Sequence, residues 1–227
     1  MIKKLAFDSD LFGYTVGAID VSAADEKTIQ TMLKSSAEYQ LLYVSADNEL
    51  SSLFSDLMLV DIRTRLGKKI ILRHAAVSPA IEEYDGRSDE QLMELALQSG
   101  LYSRFNIDRG FKSNEFQKLY AKWLAGSLDK SLADKVVIFR EGRDCEGFVT
   151  TKNCSAFLEI GLIAVAEKSR GKGIGTALLT YVDYQATDEG LDKIEVTTQF
   201  TNKPAMNLYQ KAGYKILSKK YIYHRWK

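Results

Sequence analysis

The sequence predicts an α/β fold. Strand-like and helix-like segments take turns along the chain, the pattern of helices laid on a central sheet. One junction, near residues 158–187, reads as a strand, a glycine-rich turn and a helix. The 227 residues fit one large domain or two small ones, and suffice to bury a core without staples.

Each element has a local reason. Residues 12–21 alternate through Phe12, Tyr14, Val16 and Ala18, as a half-buried strand does. Residues 27–39 put Ile29, Met32, Leu33 and Ala37 on one helical face, with Asp25 and Glu26 favouring the N-terminal end. Residues 41–46 are a short apolar run suited to a buried strand. Residues 48–57 carry Leu50, Leu53, Phe54 and Leu57 on one side of an expected helix, and 58–66 alternate loosely as a strand. Residues 77–87 mix Ser, Pro, Gly and charges and read as a connection.

The second half is more strongly patterned. Residues 90–97 and 114–124 are expected helices, the latter with Phe116, Leu119, Tyr120 and Trp123 as its apolar stripe. Residues 136–139 and 146–151 form an expected hairpin across Gly142. Residues 156–165 are a strand interrupted by Gly161, which marks a bulge or a close backbone approach. A helix follows to about 187, then a strand over 193–199. Residues 203–212 form a short helix with Asn202 as N-cap, Pro204 in the first turn and Gly213 at the end. Residues 214–226 close the chain as one or two strands.

Composition narrows the function. Lys and Arg number 31 and Asp and Glu 30, for a formal charge of +1. Neither nucleic acid nor an anionic membrane is therefore the expected partner. No apolar run approaches the roughly 20 residues that span a bilayer. His74, His224, Cys145 and Cys154 lack paired ligand spacing, so no metal is expected. A cytoplasmic protein with reduced thiols is the expectation.

The stretch Arg170-Gly171-Lys172-Gly173-Ile174-Gly175-Thr176 carries the first chemistry. Amides at a helix N-terminus are unpaired, the dipole is positive there, and glycines let a phosphate approach. A P-loop fails because Gly171-Lys172 is followed by Gly173 and Ala166 stands where the first glycine is needed. A dinucleotide fingerprint fails because Thr176 takes the place of the third glycine. The pattern R-x-x-G-x-G, through Arg170, Gly173 and Gly175, does fit.

That loop resembles the coenzyme A loop of the GNAT acetyltransferase superfamily. Downstream, Asn202, Ala205, Leu208-Tyr209 and Gly213-Tyr214 resemble its second signature, with one helix and one strand between the two. The resemblance implies the GNAT acyl-CoA acyltransferase fold, a mixed central sheet splayed between the strand ending at Val165 and the strand 193–199. It places the fold in residues 81–227, behind an additional N-terminal α/β region over 1–80. It implies acetyl-CoA as co-substrate, held by Arg170, Gly171, Lys172, Gly173, Ile174, Gly175 and Thr176, by the main chain of Ile163, Ala164 and Val165, and by Asn202 and Lys203. Tyr209 would give a proton to the leaving thiolate, a role open to a phenol near sulfur; a packing tyrosine is the alternative. Glu159 is the candidate base by the same resemblance, and a surface carboxylate is its alternative. His74 and His224 have suitable ordinary pKa values but stand alone, and a structural histidine is the commoner outcome.

Three N-terminal segments resemble the dTDP-fucosamine acetyltransferase group: Phe7-Asp8-Ser9-Asp10-Leu11-Phe12-Gly13, Ser99-Gly100-Leu101-Tyr102-Ser103-Arg104-Phe105 and Leu119-Tyr120-Ala121-Lys122-Trp123-Leu124. This implies direct acetylation of an amino sugar on a nucleotide diphosphate, with Arg104 and Phe105 on the acceptor side as cation and stacking ring. Tyr102 and Trp123 are expected in the core. The open alternatives are another amine (a protein N-terminus, a polyamine or a small metabolite) and a non-catalytic CoA-binding sensor. Residues 200–227 carry seven basic groups and no acid, read as a solvated face or an anion-attracting surface. A homodimer through the N-terminal segment and the last strand is compatible with the sequence.

Overall fold

The computed structural model describes residues 1–50, 54–70, 76–86, 89–112 and 114–227. In chain order the elements are β1 (Lys3–Lys4), α1 (Ala6–Phe12), β2 (Val16–Asp20), α2 (Glu26–Lys34), β3 (Leu41–Ala46), β4 (Met58–Lys69), β5 (Ile81–Glu83), α3 (Glu90–Ser99), α4 (Arg104–Ile107) and α5 (Glu115–Leu128). There follow β6 (Lys135–Glu141), β7 (Asp144–Asn153), β8 (Leu158–Val165), α6 (Ile174–Asp188), β9 (Lys193–Gln199), α7 (Lys203–Lys211) and β10 (Lys215–Trp226). Among the described residues no helix is long and apolar enough to cross a membrane.

Among the described residues the strands form one ten-stranded mixed sheet in the order β1-β2-β3-β10-β4-β9-β8-β7-β6-β5. The closing strand β10 runs between β3 and β4, antiparallel to both. β4 in turn pairs antiparallel with β9. Hydrogen bonding therefore passes unbroken from the N-terminal strands to the C-terminal ones.

Side-chain alternation sets the two faces. Val137 and Val149 meet Ile174, Leu178 and Val182 of α6 on one face. Val136, Ile138 and Phe148 meet Leu92 and Leu95 of α3 and Leu124 of α5 on the other. Each such fully buried side chain contributes roughly 1.5–3 kcal/mol. At the N-terminal end, Tyr43 joins an aromatic cluster with Phe12, Phe105 and Phe111, while Leu42 and Val44 face α2.

Three expectations need correction. Phe12 ends helix α1, and the strand begins only at Val16, because Gly13 takes a left-handed conformation (φ +78°) that caps the helix. The expected connection 77–87 contains β5, which pairs with β6. The helix expected over 48–57 lies partly outside the described residues, and 48–50 and 54–57 are not helical.

The bulge expected at Gly161 is present. Val149 pairs with Ile163 and Thr151 with Ile160, so β8 carries one residue more than β7 between those pairs. The Thr150 hydroxyl accepts the Leu162 N–H at 2.8 Å. A Cβ on Gly161 would lie 2.8 Å from that same oxygen. Gly161→Val is therefore expected to destabilise the fold by about 1–3 kcal/mol through overpacking, read as a lower urea midpoint. An unchanged midpoint would show that Thr150 gives way freely.

Candidate active site

The bulge and the end of pairing together open the sheet. β8 pairs with β9 only from Leu158 to Ile160. Beyond Gly161 the two strands part, and β8 is bonded to β7 alone. The backbone edge of residues 161–165 is left facing a gap.

The chain then turns through a short 3-10 segment, Glu167–Ser169, into α6. Glu146, buried on β7, accepts from Ser169 at 2.7 Å and pairs with Lys168, which pins the turn to the sheet. Gly171 (φ +81°) and Gly173 (φ +86°) take left-handed conformations with open space where a Cβ would stand. No amide from Gly171 to Thr176 donates to a described residue. Arg170 is exposed, and its guanidinium bonds the Val165 carbonyl and Gln98. Free amides, a dipole terminus and a cation fit a diphosphate. The unpaired edge of β8 fits an extended amide-bearing arm.

A cavity of about 240 Å³ lies in the gap. Gly161, Leu162 and Ile163 of β8 form one wall, and Thr197, Thr198 and Gln199 of β9 the other. Helix α7 closes one end. Its N-cap Asn202 accepts from Ala205 N–H at 3.2 Å, and Pro204 fits the first turn. Gly175 lets α7 approach, since a Cβ there would come within 3.1 Å of Leu208. This seats Tyr209 on the cavity wall at 2% exposure. Its hydroxyl makes no hydrogen bond to a described residue, and burial pushes its pKa above the ordinary value of 10.

The opposite wall comes from α4, α5 and β4. Arg104 lies with its guanidinium 4.1 Å from the Tyr43 ring centre and 4.7 Å from that of Phe105. It has no hydrogen bond or ion pair to a described residue. Arg63 lines the cavity likewise unpaired, and Asp61 stands between them in charge. Asp61 Oδ1 is sealed from solvent without a partner.

The structure thus brings Tyr209, Ile163, Asn202, Arg104 and Phe105 to one cavity, whose lining does not include residues 164–176. It does not bring Glu159 there. That carboxylate sits at the other end of β8, where it accepts from the Cys154 thiol at 3.7 Å. Lys203 also stands apart, stacked with Lys219 over the Phe200 ring. Tyr102 is exposed, against expectation, whereas Trp123 packs on the aromatic core cluster as expected and also lines the cavity. Phe105 is mostly committed to the aromatic cluster at 7% exposure. His224 is a buried structural histidine bonded to Asp108, and His74 lies outside the described residues. Within the basic C-terminal stretch, Lys220 pairs with Asp20 and Asp47 and Arg225 with Asp56.

A family model described as the acetyltransferase (GNAT) family matches residues 93–214. The chain belongs to the GNAT acetyltransferase family. Locally it is similar to mycothiol acetyltransferase of Corynebacterium aurimucosum, at 34% identity over 61 residues, 27% of this chain and 20% of that one. It is similar to N-alpha-acetyltransferase 30 of Xenopus laevis at 38% over 55 residues, 24% of this chain and 20% of that one. The chain therefore spans only a fifth of these curated relatives. Over nearly its whole length the fold is similar to a functionally unknown conserved protein from Staphylococcus epidermidis (TM-score 0.64, 13% identity, 97% of this chain and 88% of that one). It is also similar to a GCN5-related N-acetyltransferase from Sphaerobacter thermophilus (TM-score 0.58, 14% identity, 99% of this chain and 76% of that one). The fold is the splayed, helix-flanked GNAT sheet that the two motifs implied.

Proposed function

We propose that this GNAT protein transfers acetyl directly from acetyl-CoA to the amine of a nucleotide-linked amino sugar in the cytoplasm. The carrying observation is the pairing within one cavity of an unbonded tyrosine hydroxyl with two unpaired guanidinium groups. When bound, acetyl-CoA supplies the acyl group already activated as a thioester. The amides of Gly171 to Thr176 and Arg170 hold its diphosphate, and the edge of β8 aligns its arm toward the cavity. Tyr209 carries the proton that the departing sulfur needs.

Arg63 and Arg104 argue for an anionic acceptor. An unpaired guanidinium beside a cavity is suited to a phosphate, which it binds through a planar fork of donors. Polyamines would meet these two cations with repulsion. Two of the segments that resemble dTDP-fucosamine acetyltransferases contribute Arg104 and Phe105 of α4 and Tyr120 and Trp123 of α5 to the acceptor side. Neither cysteine is suited to hold acetyl, since burial raises the Cys145 thiol to about 11, and burial together with the neighbouring Glu159 raises Cys154.

Free-thiol release from acetyl-CoA, measured with a panel of amines, tests the reading. Turnover is expected with dTDP-linked amino sugars and not with the free sugars at equal concentration. Turnover confined to peptides or polyamines would overturn the acceptor assignment. Binding of CoA with no acceptor-dependent thiol release would make the protein a sensor.

A further inference from the structure

We propose that Asp61 receives the ammonium group of the acceptor and takes its proton as transfer begins. The inference rests on reading this cavity as the acceptor site. It adds a residue from the N-terminal region, on a strand outside the two GNAT motifs.

Asp61 lies on β4, where β4 runs between β10 and β9. It lines the same cavity as Tyr209, from the wall formed by the N-terminal elements. Its Oδ1 is buried and has no hydrogen-bond partner among the described residues. Leaving such an oxygen unbonded is costly, and folded proteins rarely do so without a use for it. A carboxylate that lines a cavity and has no ion pair among the described residues suits a donor-rich cation. An ammonium group has three donors and no acceptor.

Arg104 from α4, Arg63 two residues along β4 and a hydrogen bond from the Ile62 backbone N–H all favour the charged form of Asp61. Tyr120 of α5 lies near enough to feel that charge. β10 presents apolar Ile222 opposite Asp61, and β9 presents neutral Gln199 opposite Arg63. Asp8 and Tyr43 act on Arg104 from the far side. Burial outweighs the two cations and raises the Asp61 carboxyl to about 6. A base of that strength is ionised at neutral pH and can still hold a proton for a moment.

The protons balance. The ammonium passes one proton to the Asp61 carboxylate, and the freed nitrogen lone pair forms the new C–N bond. The C–S bond breaks and its electron pair leaves with sulfur, which takes the Tyr209 proton. The nitrogen's second proton returns to the Tyr209 oxygen, and Asp61 releases its own to solvent after the product leaves. No oxidant or further co-reactant is needed.

The test compares wild type with Asp61→Asn and Asp61→Glu by thiol release against pH, using a dTDP-linked amino sugar as acceptor. Where only another amine on the panel is turned over, the acceptor assignment above fails, and Asp61 is tested on that amine instead. Asp61→Asn is expected to lower kcat at least about 100-fold with KM for acetyl-CoA unchanged. It should also abolish the acidic limb of kcat/KM that wild type shows near pH 6, and Asp61→Glu should restore that limb. Retention of the limb in Asp61→Asn overturns the proposal. A carbon-detected NMR titration of the resting protein needs no turnover and no variant that folds. Ionisation of Asp61 near its ordinary 3.8 rather than near 6 likewise overturns it.

Discussion

Tyr209→Phe is expected to reduce kcat by roughly 10²–10³-fold while leaving acetyl-CoA affinity and fold stability almost unchanged. The two halves of that expectation have one cause. The hydroxyl forms no hydrogen bond to a described residue, so its loss breaks nothing in the resting protein, and the ring stays in the cluster with Met206 and Tyr214. Its value lies in the transition state, where charge grows on sulfur. At first sight burial works against this role. A phenol raised above 10 is a weaker acid than a free thiol near 8.5. The same burial acts on the leaving group, since a thiolate formed in that cavity is also desolvated and becomes a stronger base. Proton transfer is then favoured only as the C–S bond breaks, and the hydroxyl stays protonated until needed. Single-turnover thiol release with saturating acetyl-CoA reads the effect, and calorimetry reads the binding. Turnover within about threefold of wild type would make Tyr209 a packing residue.

The legible parts of this molecule are those whose cause is local. β3 and β9 coincide with their apolar runs, because alternation or continuity over six or seven residues is itself the cause of the strand. The loop 170–176 and the cap at Asn202 were readable because glycine, asparagine and proline act on their own backbone. Gly161 announced a bulge for the same reason. Pairing between distant segments was not readable. Nothing in residues 215–226 says that they will enter between β3 and β4, and that insertion alone puts β4 beside the splay. Asp61 was missed for this reason. Its one signal was a charge inside an apolar run, after Leu59 and Val60 and before Ile62. Glu159 was misjudged for the converse reason, since a strand's sequence does not tell which end of it faces a gap. Tyr102 shows the limit of reading aromatics as core, because an exposed turn also uses them.

Asp108→Ala is expected to cost about 3–5 kcal/mol, the usual loss when one member of a buried charged hydrogen-bond cluster is removed. Asp108 accepts from His224 Nδ1 at 2.5 Å, from Trp226 Nε1 at 2.9 Å and from Gly110 N–H at 2.8 Å. These bonds tie the end of α4 to the last residues of β10, beneath the aromatic cluster. Burial alone would raise the Asp108 carboxyl, but hydrogen bonds from His224, Gly110 and Trp226 outweigh it and hold it low. His224 is held down to about 4, chiefly by burial against the raising pull of Asp108. The signs follow. Between 6.5 and about 4 the unfolded chain takes a proton on this histidine that the folded chain refuses, so stability falls as pH drops through that window. The full difference amounts to about 3 kcal/mol. Below the ordinary carboxylate range Asp108 adds a further loss in the same direction. His224→Phe should flatten the thermal midpoint between pH 6.5 and 4, and an unchanged slope there would remove His224 as its source. For a chain of this size 3–5 kcal/mol lowers the midpoint by roughly 6–20 °C. The damage should also reach the site. The Asp108 carboxylate holds the end of α4 to Gly110, His224 and Trp226, and Arg104 takes its place over Tyr43 from that short helix. Acceptor KM should therefore rise in Asp108→Ala at temperatures where the protein is still folded, while acetyl-CoA KM, set on the far side of the cavity, should not.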